Sequence, residues 1–394
     1  MALTLAALVA PASARADDKV SRSASWIAGG AGLVGVTGAD GSGVDVALVD
    51  SGVVPVGSLA EPGRVVFGPD FSSDRSDPDL RNLDTFGHGT HLAGLIAGRD
   101  PITAFAGVAT NARLVSVKIA GADGLTDLRR VLAALDWIRR NHVAPGYNIR
   151  VVNISLGVAG DDYRSDVLAY AVEQLWRAGI VVVAAAGNEG KHAQALDMPA
   201  DDPFVIAAGA SDTNKTPRPD DDRVADFSSR SSSRTPDVVA PGTSLLSLRD
   251  PGSTLDMEFP GGRVGDLFFR GSGTSQAAAV TSGVVARVLS ARPDLSPDQL
   301  KVVLKSGAVD LPDPSSADGA GRIDLRRALA VKRPGPGWAR QRFEPSVLDP
   351  EKVWSELNGD NMGPAAQWDG RRWSGRRWSG RRWSGAAWID SPDS

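Results

Sequence analysis

A serine, a histidine, an aspartate and an asparagine sit in four glycine-bounded segments of this 394-residue sequence, three of them where a strand should give way to a turn or helix and the histidine's after a polar loop. Residues 271–283 read GSGTSQAAAVTSG, between a strand-like run Asp266 to Arg270 (DLFFR) and an Ala-rich stretch of helical character. Ser275 would then stand at a helix N-terminus, where unpaired backbone N–H groups and the helix dipole favour negative charge. That setting suits a nucleophile with an oxyanion partner, although small residues also simply let a helix lie close on a sheet.

The other three segments lie upstream. Val44 to Val49 (VDVALV) is a short β-branched run ending in Asp50-Ser51-Gly52, which predicts a buried parallel strand with Asp50 at its carboxyl end, where open α/β sheets place their sites. Phe86 to Gly94 reads FGHGTHLAG. Glycines on both sides of His88 predict an exposed imidazole held in one place, with helix-forming spacing from Thr90 onward. Ile180 to Gly190 (IVVVAAAGNEG) puts Asn188 just past a strand, where its amide either donates to a developing negative charge or only accepts a left-handed turn.

Composition narrows the chemistry. With no cysteine, disulfides, thiol catalysis and Cys-ligated metals are excluded. His88 and His91 are three apart, which does not match the i, i+4 pair of a helical zinc motif, so no metal site is expected. A formal charge of -4 gives no general nucleic-acid signature.

The elements that must carry these residues alternate. Arg113 to Ile119, Val151 to Leu156, Ile180 to Ala186 and Phe204 to Ala208 read as strands; Leu125 to Arg140 and Asp166 to Ala178 read as helices, and Ser296-Pro297-Asp298-Gln299 starts another with an N-cap and a proline at the first helical position. Repeated βα units predict an α/β fold with a doubly wound, mostly parallel central sheet and helices on both faces. The chain divides into an apolar leader (1–16), a lead-in that is Gly-rich from Gly29 (17–43), a domain (44–330), a linker (331–367, with KRPGPG at Lys332 to Gly337) and a tail (368–394).

In the leader, Ala2 to Ala10 is apolar and Ala14-Arg15-Ala16 is a small-x-small cleavage signature, so residues 1–16 read as a secretory signal peptide and the protein as secreted and extracellular. The apolar run is too short for a permanent membrane anchor, and no other stretch is long enough.

Taken in order, Asp50-Ser51-Gly52, GHGTH around His88, AAGN ending at Asn188 and GTS around Ser275 closely resemble the subtilisin-like serine peptidases, over roughly residues 44 to 330. The resemblance implies an Asp50, His88, Ser275 triad, in the chain order known for subtilisin, with Asn188 and the Ser275 backbone N–H holding the oxyanion. It implies that Ser155, Leu156 and Gly157 form an edge that pairs with an extended substrate backbone, with a second edge near Gly121 to Gly124. Ala185, Ala186 and Gly187 would wall the pocket for the residue before the scissile bond. Aligning Pro199 and the strand after it puts Asp197 near the floor of that pocket, where it would favour Lys or Arg; the alternative is a solvated loop aspartate or a partner for Lys191 or His192.

The chain departs from the family in Gln276, where Met is frequent, and in Ala279, where Pro is usual. Fewer than about 40 residues separate Ala16 from the first strand, too few for the family's N-terminal chaperone domain. No cofactor is required by this chemistry. The calcium loop common in the family is not evident at Arg99 to Gly107, while the acidic stretch 70–84 either binds calcium or is a solvated surface.

In the tail, Trp368, Trp373, Trp378, Trp383 and Trp388 recur every five residues, with three copies of RRWSG. That period fits neither a helix stripe nor a strand face and predicts disorder. Arginine beside tryptophan suits weak, multivalent binding to an anionic polymer, a glycan surface or a membrane interface; a low-complexity tail with no partner is the other reading. The leading expectation is a secreted serine endopeptidase acting on polypeptides, and the alternative is a catalytically idle scaffold with a surface-binding tail.

Overall fold

The computed structural model describes residues 12–158, 162–231, 234–312, 317–335 and 344–348; the tail 368–394 and the leader before Ala12 lie outside the described residues. Its strands, in chain order, are β1 (Asp45–Asp50), β2 (Val65–Asp70), β3 (Arg99–Asp100), β4 (Phe105–Ala106), β5 (Arg113–Lys118), β6 (Ile149–Ile154) and β7 (Val181–Ala185). They continue with β8 (Ile206–Asp212), β9 (Arg223–Val224), β10 (Val238–Pro241), β11 (Leu245–Leu248), β12 (Arg263–Val264) and β13 (Phe268–Gly271). The helices are α1 (Ala12–Gly30), α2 (His88–Ala97), α3 (Leu128–Asn141), α4 (Val167–Arg177), α5 (Thr254–Glu258), α6 (Thr274–Ala291), α7 (Pro297–Gly307) and α8 (Leu325–Ala330).

The central sheet has the order β10-β8-β7-β6-β1-β5-β2, all parallel, with β9 added antiparallel to β8. Alternation along β1 shows why it needs cover on both sides. Val46 and Leu48 join one apolar cluster with α1, α2 and α6, whereas Ala47 and Val49 join the other with α3 and α4. The doubly wound, mostly parallel sheet expected from the βα alternation is therefore present. The chain passes from β5 on one flank of β1 to β6 on the other, so the strand order reverses beside the carboxyl end of β1, the place where such sheets bind ligands.

Three features go beyond the sequence reading. The DLFFR run does not join the central sheet: β13 pairs antiparallel with β11 and β12 in a small separate sheet. The lead-in is not merely a loop. Its first half is α1, which buries Val20 and Ile27 against the core and accepts Leu246 N at Ser23 Oγ, 2.8 Å away. This helix runs unbroken through Ala16, so a cut after Ala16 falls within it. The linker is tied down in part, since residues 344–348 lie against the segment before α4.

The Ser296 start is as expected. Ser296 Oγ accepts Gln299 N while Gln299 Oε1 accepts Ser296 N, a full capping box ahead of α7.

Burial also sets a pH dependence. Asp202, in the turn before β8, is fully enclosed; its Oδ1 accepts Phe204 N at 2.6 Å and its Oδ2 has no partner among the described residues. Desolvation by burial, with a contribution from Glu173, pushes its carboxyl up to about 8. An acid raised in the fold keeps a proton that the unfolded chain has lost, so its stabilising contribution is full below the unfolded value of about 4 and disappears as pH rises towards 8. Asp202→Asn keeps the neutral shape. Its melting temperature should fall less than the parent's between about pH 5 and about pH 9, a difference on the order of several kcal/mol in unfolding free energy. Parallel curves for the two proteins would contradict a buried, protonated Asp202.

Candidate active site

Asp50 closes β1 and is buried; its Oδ1 accepts His88 Nδ1 at 2.8 Å and Ser51 N at 2.8 Å. His88 is the first residue of α2 and is 0% exposed, which corrects the expectation of an exposed imidazole. The glycines do bring backbone close to it, but their effect is to enclose the ring. A Cβ on Gly89 would lie 2.1 Å from Gly52 O, so only glycine lets the first turn of α2 rest on the Asp50-Ser51-Gly52 turn.

That contact is cemented by Asp84, which no motif revealed. Its Oδ1 accepts Ser51 Oγ at 2.8 Å and Gly87 N at 2.7 Å, while its Oδ2 accepts Thr90 N at 2.7 Å. One carboxylate thus caps the start of α2 and holds the Asp50 turn against it. Gly89 N in turn donates to Ser51 Oγ at 3.0 Å. On the far side Lys118, which pairs in register with Asp50 at the end of β5, is fully buried. It donates to Ser51 O at 2.7 Å and pairs with Asp74 at 3.1 Å. Within the acidic stretch 70–84, Asp74 and Asp84 are therefore built into the site's support, and the other carboxylates order the loop itself. Asp70 accepts Ser72 N and Asn82 N, Asp77 accepts Asp79 N, and Asp74 accepts Thr85 Oγ1.

His91 has a different task. Burial, with the proximity of His88, pushes its imidazole down to about 3, so it is neutral; its Nε2 donates to Phe269 O at 3.1 Å and joins α2 to β13.

Ser275 is the second residue of α6 and 8% exposed. Its Oγ donates to Ser155 O at 3.2 Å, and Ser155 Oγ donates to Ser275 O at 3.2 Å, which fixes the serine to the end of β6. α6 packs against α2 and the central sheet, and a Cβ on Gly271 would meet both His91 of α2 and Gln276 of α6, so the first turns of the two helices lie close together. Asn188 is oriented from the same helix. Its Oδ1 accepts Thr274 N at 2.9 Å and Thr274 Oγ1 at 3.2 Å, which leaves the amide NH₂ as the group presented to a ligand. The reading of Asn188 as a turn-maker alone does not account for this pinning.

The pocket residues also converge. Gly187 is tied to Thr274 through its N and O, each at 3.2 Å. Val158 and Met198 exchange backbone hydrogen bonds of 3.0 and 2.7 Å, which brings Asp197 beside Gly157. A Cβ on Gly157 would stand 2.5 Å from Asp197 Cβ, and one on Gly187 would stand 2.9 Å from Asp197 Oδ2. Asp197 is 7% exposed, so it is not a solvated loop aspartate; its carboxylate lies between the two glycine walls.

A second carboxylate shares the position, and the sequence reading missed it. Glu189 Oε2 comes 2.8 Å from the same Gly187 Cβ position and accepts Ser229 Oγ at 2.8 Å. Its signal was its place one residue after Asn188. At the other edge, Gly121 to Gly124 forms a turn closed by Gly124 N to Gly121 O at 2.9 Å. Thr254 of α5, also missed, donates to Ala122 O at 2.6 Å and brings Leu255 and Phe86 together there.

With this geometry in place, likeness to known proteins can be added. Residues 41–322 match the profile of the subtilase family of peptidases. The serine protease AprX of Bacillus subtilis is 37% identical over 300 residues, 73% of this chain and 66% of its own length. Subtilisin DY of Bacillus licheniformis is 33% identical over 293 residues, covering 74% of this chain and 92% of its own. Among solved structures, a protease of Pseudoalteromonas arctica superposes with a TM-score of 0.61 at 27% identity, covering 74% of this chain and 91% of that one. A cold-adapted subtilisin-like serine proteinase gives 0.55 at 29%, covering 73% and 89%.

Proposed function

Since the chain belongs to the subtilase family of peptidases, we propose that it is a secreted serine endopeptidase that cleaves extended polypeptides after basic residues, through an acyl-enzyme on Ser275. The observation that carries the reading is the 2.8 Å contact of Asp50 Oδ1 with His88 Nδ1 on a helix packed against the one that starts with Thr274-Ser275. Asp50 orients the ring and stabilises its cation, so His88 Nε2 takes the Ser275 proton as Oγ attacks the scissile carbonyl and returns it to the leaving amine. Water then enters by the same route in reverse and hydrolyses the ester. The tetrahedral oxyanion is held by the Ser275 backbone N–H and by the Asn188 amide, whose orientation Thr274 sets. No cofactor takes part.

Asn188→Ala removes that side-chain donor after its partners are already in place. A fall in kcat of ~10²–10³ with KM nearly unchanged is expected, the scale found when such donors are lost; an equal rise in KM would assign Asn188 to ground-state binding instead.

The preference for a basic residue rests on Asp197 and Glu189 beside Gly187. A Lys or Arg side chain entering between Gly157 and Gly187 meets two carboxylates, whereas an aromatic ring offers them no charge. Fluorogenic peptides that differ only in the residue before the scissile bond test this: Arg and Lys should exceed Phe and Leu. Asp197→Asn should lower kcat/KM for the Arg peptide by roughly 10- to 100-fold, the value of a hydrogen bond to a charged group at ~1.5–3 kcal/mol. Preference for Phe or Leu in the parent protein would sink the basic-pocket reading and leave the endopeptidase reading standing. Secretion is supported by the apolar run Ala2 to Ala10 and the Ala14-Arg15-Ala16 signature.

A further inference from the structure

Residues 249–262 leave the small sheet after β11, carry α5 and rejoin that sheet at β12. One buried carboxylate closes this arm on itself. Asp256 accepts Arg249 Nη2 at 2.9 Å, Arg263 Nε at 2.8 Å and Gly252 N at 3.0 Å, so α5 is held to both ends of the arm.

The arm grips two segments at once. On one, Thr254 N donates to Thr85 O at 3.1 Å and Leu255 N donates to Phe86 O at 3.0 Å, while a Cβ on Gly87 would stand 2.4 Å from Ser253 Oγ. Thr85, Phe86 and Gly87 are the residues that lead into α2 and His88. On the other, the Thr254 hydroxyl donates to Ala122 O at 2.6 Å, inside the Gly121 to Gly124 turn. Phe86 touches both, since a Cβ on Gly124 would lie 2.7 Å from its ring and Leu255, Phe259 and Phe269 belong to the same apolar cluster.

The turn needs such a hold. It lies beyond the end of β5, a backbone bond from Gly124 N to Gly121 O closes it, and Gly124 takes a φ of +68°. Ala122 has no side chain long enough to anchor it, and its carbonyl is the group that Thr254 takes.

We infer that Thr254 is a positioning residue for substrate: its backbone N–H holds the chain that delivers His88, its hydroxyl holds the Gly121 to Gly124 edge, and the two are thereby kept in register. An extended substrate paired along that edge is then presented to Ser275 and His88 without a search. This inference rests on the endopeptidase reading and on the edge that the family resemblance implies, and it adds the residue that fixes the edge. Only a substrate long enough to lie on the edge gains from it, so the effect of losing the hydroxyl depends on substrate length.

The test uses the full-length protein and two fluorogenic substrates that share the residue the parent prefers before the scissile bond. One carries that residue alone behind an acyl cap, and the other carries three more residues ahead of it. Thr254→Val and Thr254→Ala both remove the hydroxyl and keep the backbone bond to Thr85 O. In each, kcat/KM for the longer substrate should fall roughly 3- to 10-fold and that for the shorter by less than about twofold, the scale of one neutral hydrogen bond. Thr254→Ser keeps the hydroxyl and should hold the longer substrate within about twofold of the parent. Equal losses on the two substrates, an unchanged rate on the longer one, or a loss that Thr254→Ser shares would overturn the inference and leave Thr254 a role in the fold alone. A parent protein that cleaves neither substrate would instead bring down the endopeptidase reading, and the inference with it.

Discussion

Ser275→Ala is expected to abolish turnover on every peptide substrate without unfolding the protein. Removing the hydroxyl deletes one hydrogen bond, the 3.2 Å contact to Ser155 O, while Ser155 Oγ keeps its bond to the residue-275 carbonyl. α6 retains Thr274, with its ties to Gly187 and Asn188, at its start. The melting temperature should therefore move by no more than a few degrees, the shift expected for ~1 kcal/mol in a domain of this size. The chemistry has no such reserve. Subtilisin, the family's namesake, loses ~10⁶-fold in kcat when its nucleophile is removed, and the same scale is expected here. The check is kcat with an Arg peptide together with a melting curve. Activity within a hundredfold of the parent would place the nucleophile elsewhere.

Asp50→Asn should produce the next largest loss. The asparagine is nearly the same shape, and although an NH₂ at the Oδ1 position gives up the bond from Ser51 N as well, the turn at the end of β1 keeps the Ser51 Oγ bond to Asp84 and the Lys118 bond to Ser51 O and should persist. What changes is the group facing His88 Nδ1. An amide NH₂ there forces that nitrogen to accept, which moves the ring proton to Nε2 and disables the base that Ser275 requires. A fall in kcat of ~10⁴ with KM within a few-fold of the parent is expected. Pre-steady-state measurement should place the loss in acylation. A drop under tenfold would mean that the Asp50–His88 contact is structural only.

These two substitutions fall on residues that the sequence displays openly, for a physical reason. Asp50, His88, Asn188 and Ser275 each need backbone at very short range, and that need leaves glycines around them: Gly52, Gly87, Gly89, Gly187 and Gly273. Their supports are not marked in that way. Asp84 looks like one more acid in a polar stretch, yet it caps α2; Lys118 looks like the charged end of a strand, yet it is buried against Ser51 O. A carboxylate or ammonium reveals such a role only when the folded neighbours supply its donors and acceptors.

The same limit explains the misreading of His88. Flanking glycines signal close backbone approach, and the sequence does not say whether that approach displays a ring or encloses it. α1 was illegible because Val20 and Ile27 are its main apolar contacts among small and charged residues, too sparse for a helical stripe. The small sheet of β11, β12 and β13 depends on antiparallel pairing between segments separated by α5, which no periodicity encodes. Glu189 was hidden by a different cause: its role comes from Ser229, forty residues on, which turns its carboxylate towards Gly187.

The pocket thus carries more of the specificity than the catalytic motifs disclose. Asp197 was visible by alignment to a proline-bearing loop, but its burial between Gly157 and Gly187 came only with the Val158–Met198 pairing. Two carboxylates at one pocket wall favour a cation beside them, and that is the ground of the proposed basic preference.

The central claim, that Ser275 is a nucleophile activated by His88 and Asp50, is tested most directly by covalent labelling of the full-length protein with a fluorophosphonate, followed by peptide mapping. The expected result is one label per chain on Ser275, absent in Ser275→Ala and slowed by orders of magnitude in Asp50→Asn. Labelling at another residue, or labelling that persists in Ser275→Ala, would contradict it.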